Sequence, residues 1–103
     1  QPDGSAFGSA GDYFDMLNLR INSAKTYPSA ARERRIEGRV TVQFTLLADG
    51  SIREVKIVKS SRNRRLDKAA VQAVEKAAPY PRPPVRYLKP PATLKINLSF
   101  ELI

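Results

Sequence analysis

Cysteine and histidine are both missing from this sequence of 103 residues. Without cysteine, no disulfide framework, thiolate nucleophile or cysteine-based metal site can form. Without histidine, the chain lacks the residue that most often serves as a general base and as a ligand of zinc or iron. Metal binding and acid-base chemistry would rest on 10 carboxylates, set against 18 lysines and arginines. These absences argue against an enzyme, and we predict neither a metal site nor a cofactor.

Long apolar runs are missing as well. No run approaches the roughly 18 apolar residues of a transmembrane helix, and the first residues do not resemble a signal peptide. We therefore expect the chain, as given, to be soluble. A domain excised from a longer protein would equally lack a transmembrane run and a signal peptide. The net charge of +8 predicts attraction to an anionic surface. Charge alone does not decide among nucleic acid, phospholipid, lipopolysaccharide and an acidic protein patch.

The opening of the chain differs in composition from the rest. Residues 1–11 are polar, rich in glycine, serine and alanine, and without periodicity, so we predict a disordered lead-in or the end of a linker. One small domain is expected over 12–103. It divides into an extra N-terminal helix over 12–26 and a core region over 27–103.

The extra helix is predicted from apolar residues at steps of three and four. These residues are Phe14, Leu17, Ile21 and Ala24. Asp12 is the predicted N-cap. Because a proline disfavours helical backbone at the residue before it, the helix should end before Tyr27-Pro28. Pro28 is also expected to open a short second helix over 29–35, since its missing N–H costs nothing at a first helical position.

The middle of the chain changes to the period of two that is typical of a half-buried strand. The apolar members of this strand are Val40, Val42, Phe44 and Leu46. Asp49-Gly50 then predicts a hairpin turn, because such turns need a positive φ. The returning strand, residues 52–58, contains the adjacent apolar residues Ile57 and Val58, which must face opposite sides or mark a bulge.

A third helix and a final strand complete the predicted elements. Asn63 is the expected N-cap of the helix, and Pro79 ends it. Its apolar face is formed by Leu66, Ala70, Val74 and Ala77. Six prolines between Pro79 and Pro91 predict a stiff, extended connection along the surface. The unbroken alternation that follows predicts a long terminal strand, with apolar residues Leu94, Ile96, Leu98, Phe100 and Leu102.

The order of these elements predicts an α+β fold, with a three-stranded antiparallel sheet covered by helices on one face. If the terminal strand pairs with the first, the spatial order is second, first, last, and both sheet edges are free. The outer strand of the hairpin carries charges that blunt unwanted pairing, namely Arg53, Glu54, Lys56 and Lys59. The terminal strand is therefore the better predicted acceptor of an incoming strand.

Several short motifs occur in a fixed order along the chain. They are Tyr27-Pro28 followed by Ala30, then Ile36-Glu37-Gly38-x-Val40-x-Val42-x-Phe44, Asp49-Gly50-x-Ile52, Val55-x-Ile57-Val58-x-Ser60-Ser61, Leu66-Asp67-x-Ala69-Ala70 and the proline-rich stretch. Together they resemble the C-terminal domains of TonB proteins, over residues 27–102. The segment Ala78-Pro79-Tyr80-Pro81 is similar to the proline-rich variant of that family. The related TolA C-terminal domain shares the sheet-and-helix plan, but it is normally held by a disulfide and lacks the Tyr-Pro and Ile-Glu-Gly signature.

The resemblance implies a non-catalytic, periplasmic module of an energy transducer in a Gram-negative bacterium. In the family, an N-terminal helix anchors the protein in the inner membrane beside the motor proteins ExbB and ExbD, and a proline-rich stalk spans the gap. The domain binds the TonB box, a short extended segment of TonB-dependent outer-membrane transporters for iron-siderophore complexes, vitamin B12 or other scarce substrates. The implied mode is strand addition to a free sheet edge. Two further expectations are left undecided by the sequence. One is contact with peptidoglycan, and the other is formation of a strand-swapped homodimer.

Three groups of residues are the candidate contacts. The accepting edge is predicted over 93–103, and its partner-binding residues are Thr93, Lys95, Asn97, Ser99 and Glu101. Tyr27 and Pro28 are included because the family associates this dipeptide with transporter contact. The third group is a candidate anion contact at a helix start, where the helix dipole and backbone donors add to side-chain charge. It consists of Arg62, Arg64 and Arg65.

Two other classes of function are weaker interpretations. A nucleic-acid binder would need aromatic side chains on the open sheet face for base stacking. The predicted outward positions are Thr41, Gln43, Thr45, Lys95, Asn97 and Ser99, so no nucleic-acid partner is predicted. An enzyme is disfavoured because Asp49 belongs to a turn, Asp67 belongs to a helix start, and no nucleophile has a partner base within reach in the sequence.

Overall fold

The computed structural model describes residues 7–102, and its elements follow the predicted order. The helices are α1 (Ala10–Ala24), α2 (Ser29–Glu33) and α3 (Arg64–Ala77). The strands are β1 (Gly38–Leu46), β2 (Ile52–Lys59) and β3 (Ala92–Phe100). Within residues 7–102, no helix is both long enough and apolar enough to cross a membrane.

Helix α1 is capped by Ser9, which corrects the prediction that Asp12 is its N-cap. The Ser9 hydroxyl accepts a hydrogen bond of 3.1 Å from the Asp12 backbone N–H. Asp12 instead places its charge in the first turn, where the helix dipole favours an acid. The buried face also differs by one position, because Tyr13 is fully buried beside Leu17, whereas Phe14 is half-buried.

The predicted lead-in, residues 1–11, is described only in part. Residues 1–6 lie outside the described residues. Phe7 packs edge-on against Tyr13, with 5.0 Å between the ring centroids. The helix begins at Ala10, two residues ahead of the predicted boundary at 12. Packing against the domain therefore reaches into the last part of this segment.

Strand β1 is the centre of the sheet, whose order is β2-β1-β3 with both pairs antiparallel. This order confirms the predicted topology. β1 and β3 pair without interruption from Gly38 opposite Phe100 to Leu46 opposite Ala92. The uninterrupted register aligns the apolar side chains of both strands on one face, where they form a single core with the buried residues of α1 and α3. The other face of the sheet is left polar.

Strand β2 departs from regular pairing at two places. Val58 is one extra residue between the partners of Thr41 and Val42. Of the two alternatives that the sequence left open for Ile57 and Val58, the structure has the bulge, and it leaves Val58 42% exposed. A second extra residue lies between Arg53 and Lys56, where Glu54 has a φ of 56°. Because bulges twist an edge and disrupt its row of hydrogen bonds, the β2 edge is a poor acceptor for another strand.

The proline-rich segment is partly buried, which corrects the predicted connection along the surface. Tyr80 is fully buried and stacks on Phe44, with 5.9 Å between the ring centroids. Its hydroxyl donates a 2.6 Å hydrogen bond to the Val74 carbonyl. Proline has no N–H to satisfy, so this segment can enter the core without leaving unpaired donors. The buried prolines are Pro81, Pro83 and Pro84.

Arg20 fixes α1 to the end of α3. Its Nε donates to the Ala77 carbonyl at 2.9 Å, and its Nη2 donates to the Pro79 carbonyl at 3.1 Å. A helix C-terminus leaves carbonyls unpaired and favours a nearby cation, so both contacts stabilise the end of α3. Tyr13 adds a hydrogen bond of 2.6 Å from its hydroxyl to the Pro81 carbonyl. Burial raises the pKa of Tyr13 to about 12, so this donor keeps its proton at neutral pH.

Replacement of Gly50 by alanine should strongly destabilise the fold. Gly50 has a φ of +90°, and an added Cβ would lie 1.8 Å from the Tyr80 carbonyl oxygen. Because the hairpin turn or the Tyr80 backbone would have to move, we expect Gly50→Ala to lower the free energy of unfolding by about 2 to 4 kcal/mol. Urea denaturation measures this loss.

Gly11→Ala is the matched control for this substitution. Its added methyl group would meet the Ser9 hydroxyl at 3.6 Å, an ordinary contact, inside helix α1. We expect a neutral effect or a gain of up to about 1 kcal/mol, because alanine restricts the unfolded chain more than glycine does. Equal losses in both variants would contradict the role given to the Gly50 turn.

Candidate functional site

The outer edge of β3 is the part of the sheet where most of the candidate contacts lie. β3 borders the sheet, and β1 is its only neighbouring strand within residues 7–102. Thr93, Lys95 and Asn97 are exposed and Ser99 is half-buried, whereas the residues between them are buried. In an antiparallel strand, each residue turns its N–H and C=O to the same side, and the side alternates along the strand. Every second residue of β3 therefore presents a donor and an acceptor at the border.

A contact made by Lys25 indicates which residues of β3 turn their backbone groups to the border of the sheet. Lys25 is the C-cap of helix α1, and its ammonium group donates a hydrogen bond to the Ser99 backbone carbonyl. The contact indicates that Ser99 turns its backbone groups away from β1, and the alternation gives Thr93, Lys95 and Asn97 the same orientation. Within the described range, no group outside the sheet bonds to the backbone of those three residues. Their outward donors and acceptors are available to a partner.

The side chains of the edge residues lie on the open, polar face of the sheet. The Thr41 hydroxyl donates to Asn97 Oδ1 at 2.7 Å, and the Thr45 hydroxyl donates to Glu54 at 3.3 Å. Within residues 7–102, the three strands contribute no aromatic side chain to this face. Stacking of nucleobases on the sheet therefore has no aromatic platform.

Tyr27 and Pro28 lie at one end of this edge. The Tyr27 ring meets Phe100 edge-on, with 5.5 Å between the centroids, and its hydroxyl donates to the Ile36 carbonyl. Pro28 precedes the first turn of α2, where its carbonyl accepts from the Arg32 N–H at 2.9 Å. The dipeptide is thus a corner of the fold, and the structure also brings it next to the end of β3.

Glu101 belongs to a different set of contacts. β3 ends at Phe100, and the Glu101 carboxylate lies 3.7 Å from the Arg39 guanidinium, with both side chains exposed. The Leu102 N–H donates to Glu37 at 2.6 Å. These contacts tie the end of the chain to the start of β1. Residue 103, the last of the predicted edge, lies outside the described residues.

The candidate anion contact lies on the opposite side of the sheet from the β3 edge. Arg62 follows β2, Arg64 and Arg65 open α3, and all three side chains are exposed. Two backbone donors of this helix start are already used, because Asn63 Oδ1 accepts from the N–H groups of Arg65 and Leu66 at 3.0 and 3.1 Å. The N-cap prediction for Asn63 is confirmed. The structure does not bring these arginines together with the edge residues.

Asp67 adds a negative charge to the same helix start. Its carboxylate accepts from the Ser61 N–H at 2.9 Å, from the Ser61 hydroxyl at 2.6 Å and from the Ser60 hydroxyl. Partial burial acts to raise the pKa of Asp67, but these three hydrogen bonds outweigh it and hold the pKa below its usual value. The negative charge of Asp67 therefore offsets part of the positive charge of Arg62, Arg64 and Arg65.

Comparison with known proteins gives one family. Residues 23–102 match the family described as Gram-negative bacterial TonB protein C-terminal. The TonB protein of Helicobacter pylori is 35% identical over 96 residues, which cover 92% of this chain and 32% of the relative. The TonB protein of Haemophilus influenzae is 36% identical over 90 residues, which cover 87% of this chain and 32% of the relative. The chain therefore spans 32% of the length of these two curated relatives.

Solved structures give the same result for the fold. A solution structure of the Helicobacter pylori TonB C-terminal domain matches with a TM-score of 0.79 at 34% identity, covering 97% of this chain and 92% of that chain. A second, shorter form of that domain matches with a TM-score of 0.70 at 36% identity, covering 86% and 92%. Because the first match covers 97% of this chain, the likeness includes α1 as well as the sheet.

Substitution of Asp67 should give a pH-dependent loss of stability. At pH 7, we expect Asp67→Asn to lower the free energy of unfolding by about 1 to 2 kcal/mol, because the charged acceptor of three hydrogen bonds is lost. A depressed folded-state pKa contributes stability that is fully present above the unfolded value of about 3.9 and is lost as the pH falls through the folded value. The difference between wild type and variant should therefore shrink from about pH 5 to about pH 2.

Urea denaturation across this pH range measures the difference. Asp15→Asn is the control, because Asp15 is an exposed carboxylate of α1 that bonds to no residue among 7–102. Its effect should stay below about 0.5 kcal/mol. A loss in Asp67→Asn that is constant with pH would contradict the depressed pKa.

Proposed function

Because the chain belongs to the family of Gram-negative bacterial TonB protein C-terminal domains, we propose that it is the transporter-binding end of a TonB-type energy transducer. The family is a non-enzymatic transducer and interaction domain, which is the class of function predicted from the sequence. We place the domain in the periplasm, attached to the inner membrane through a segment outside this chain. Its proposed partner is the TonB box, a short extended segment of TonB-dependent outer-membrane transporters.

The observation that carries this proposal is the available edge of β3. Thr93, Lys95 and Asn97 present backbone donors and acceptors with the two-residue repeat that an extended peptide matches. The β2 edge lacks this repeat, because it is interrupted at Val58 and near Glu54. The geometry therefore favours addition of the TonB box to β3 over addition to β2.

The strength of such a contact suits a transducer. About five main-chain hydrogen bonds of about 0.5 to 1.5 kcal/mol each, together with side-chain contacts, give affinity of the micromolar class. A contact of this strength forms and releases readily, yet parallel bonds that are loaded together resist shear. The domain can thus convey mechanical work from the proton-driven ExbB and ExbD motor to a transporter. The imported substrates would be iron-siderophore complexes, vitamin B12 or similar nutrients.

The remaining candidate residues have separate proposed roles. The side chains of Asn97 and Ser99 line the outer face of the edge and would contact alternate side chains of the bound segment. Tyr27 and Pro28 would contact the partner near the end of β3. The cluster Arg62, Arg64 and Arg65 stays a proposed contact for anionic groups such as those of peptidoglycan, supported by its exposure and charge.

Titration with a TonB-box peptide tests the proposal. Amide chemical shifts of the ¹⁵N-labelled domain should change saturably along β3, with smaller changes near Tyr27, because each new main-chain hydrogen bond alters its amide environment. The start of α3, around Arg64, serves as an internal control and should not respond. Absence of any response in β3 would contradict the proposed function.

Selective N-methylation of the peptide tests whether the contact is strand addition. In an added strand, alternate peptide amides face β3, so their methylation removes donors and should weaken binding by at least about tenfold. Methylation of the intervening amides, which face solvent, is the matched control and should change the Kd by less than about threefold. Equal effects of the two patterns would exclude strand addition, even if the peptide binds.

A further inference from the structure

Lys25 occupies one end of the proposed docking edge. We propose that Lys25 acts as a stop, so that an incoming strand pairs with Thr93–Asn97 and not with Ser99. This inference rests on the proposed function, because it concerns how far along β3 the bound segment extends. Lys25 lies just before the Tyr27-Pro28 motif. No pattern in the sequence indicated that this residue would limit the register of a bound strand.

Three contacts hold the Lys25 ammonium group at this position. It donates to the Ser99 backbone carbonyl and to Asn22 Oδ1, the second at 3.2 Å. It also lies 5.5 Å from the centroid of the Phe100 ring, within the range of a cation–π contact. The Asn22 side chain is itself anchored, since its amide donates to the Asn18 carbonyl at 2.9 Å. The ammonium group is thus held by α1 on one side and by β3 on the other.

The occupied carbonyl changes what Ser99 offers to a partner strand. A peptide residue opposite Ser99 would bring an N–H donor to an acceptor that already receives a charged donor, which is the stronger of the two hydrogen bonds. Displacing the ammonium group would also end its contacts with Asn22 and Phe100. Thr93, Lys95 and Asn97 have no such competitor within the described residues. Pairing should therefore end after Asn97.

The stop also links helix α1 to the docking edge. Lys25 is the C-cap of α1, and Arg20 and Tyr13 fix α1 to the end of α3 and to the proline-rich segment. With α1 in place, three residues of β3 pair with the partner. Removal of the ammonium group would add Ser99 to this set and lengthen the edge by one residue pair.

The experiment maps the paired residues by nuclear Overhauser effects. The ¹⁵N-labelled domain is saturated with a capped TonB-box peptide that has no charged side chains, so that attraction to lysine plays no part. In the wild type, backbone contacts with the peptide should involve Thr93, Lys95 and Asn97 and stop before Ser99. In Lys25→Met they should extend to Ser99, and the Kd should fall by about three- to tenfold, as one or two added hydrogen bonds would give.

Lys68→Met is the matched control, because Lys68 is an exposed lysine of α3. It should leave both the extent of pairing and the Kd unchanged. Contacts between the peptide backbone and the Ser99 backbone in the wild type would overturn the stop while leaving strand addition intact. Pairing that still ends at Asn97 in a folded Lys25→Met variant would also overturn the stop and leave strand addition intact. If the peptide contacts β3 in none of the proteins, the proposed function fails, and the stop fails with it. The wild-type experiment needs no substitution, so it decides the question even if Lys25→Met does not fold.

Discussion

Burial of Tyr80 is the constraint on which the rest of the structure depends. Its backbone N–H donates to the Gly50 carbonyl in the hairpin turn, and its hydroxyl donates to Val74 in α3. Its ring stacks on Phe44 of β1 and lies beneath the guanidinium of Arg20 from α1. One residue thus fixes the sheet, the hairpin turn and both long helices relative to one another. Because Tyr80 also begins the segment that leads to β3, its position helps to set where the terminal strand enters the sheet.

The two borders of the sheet follow from different local chemistry. β3 pairs with β1 in an uninterrupted register, and its alternating side chains leave a regular row of backbone groups on its outer side. β2 pairs with β1 through two irregularities and carries exposed charges on its border. The helices cover one face of the sheet and, among residues 7–102, leave the β3 border open except at Ser99, where Lys25 reaches it. The proposed strand addition therefore has one regular border to use, that of β3.

Local patterns predicted most of the fold, because periodicity and capping are visible within a few residues. The alternation of β3, the Asp49-Gly50 turn and the Asn63 cap all depend on near neighbours. Contacts between distant segments left no such signal. Tyr13 reaches the carbonyl of Pro81, and Lys25 reaches Ser99 from 74 positions away, so neither contact has a spacing that a sequence pattern can reveal. The candidate edge could therefore be predicted from the sequence, but not the contact that Lys25 makes with Ser99.

The unequal borders of the sheet also limit how copies of this domain can associate. Two copies that meet through β3 would be related by a twofold axis, and each would cover the border of the other. The irregular β2 borders, now on the outside, would offer no regular row of partners to a third copy. Such an assembly closes at two chains, whereas a sheet with two regular borders could grow into a fibre. In such a dimer, the bulges at Val58 and near Glu54 would prevent open-ended growth of the sheet.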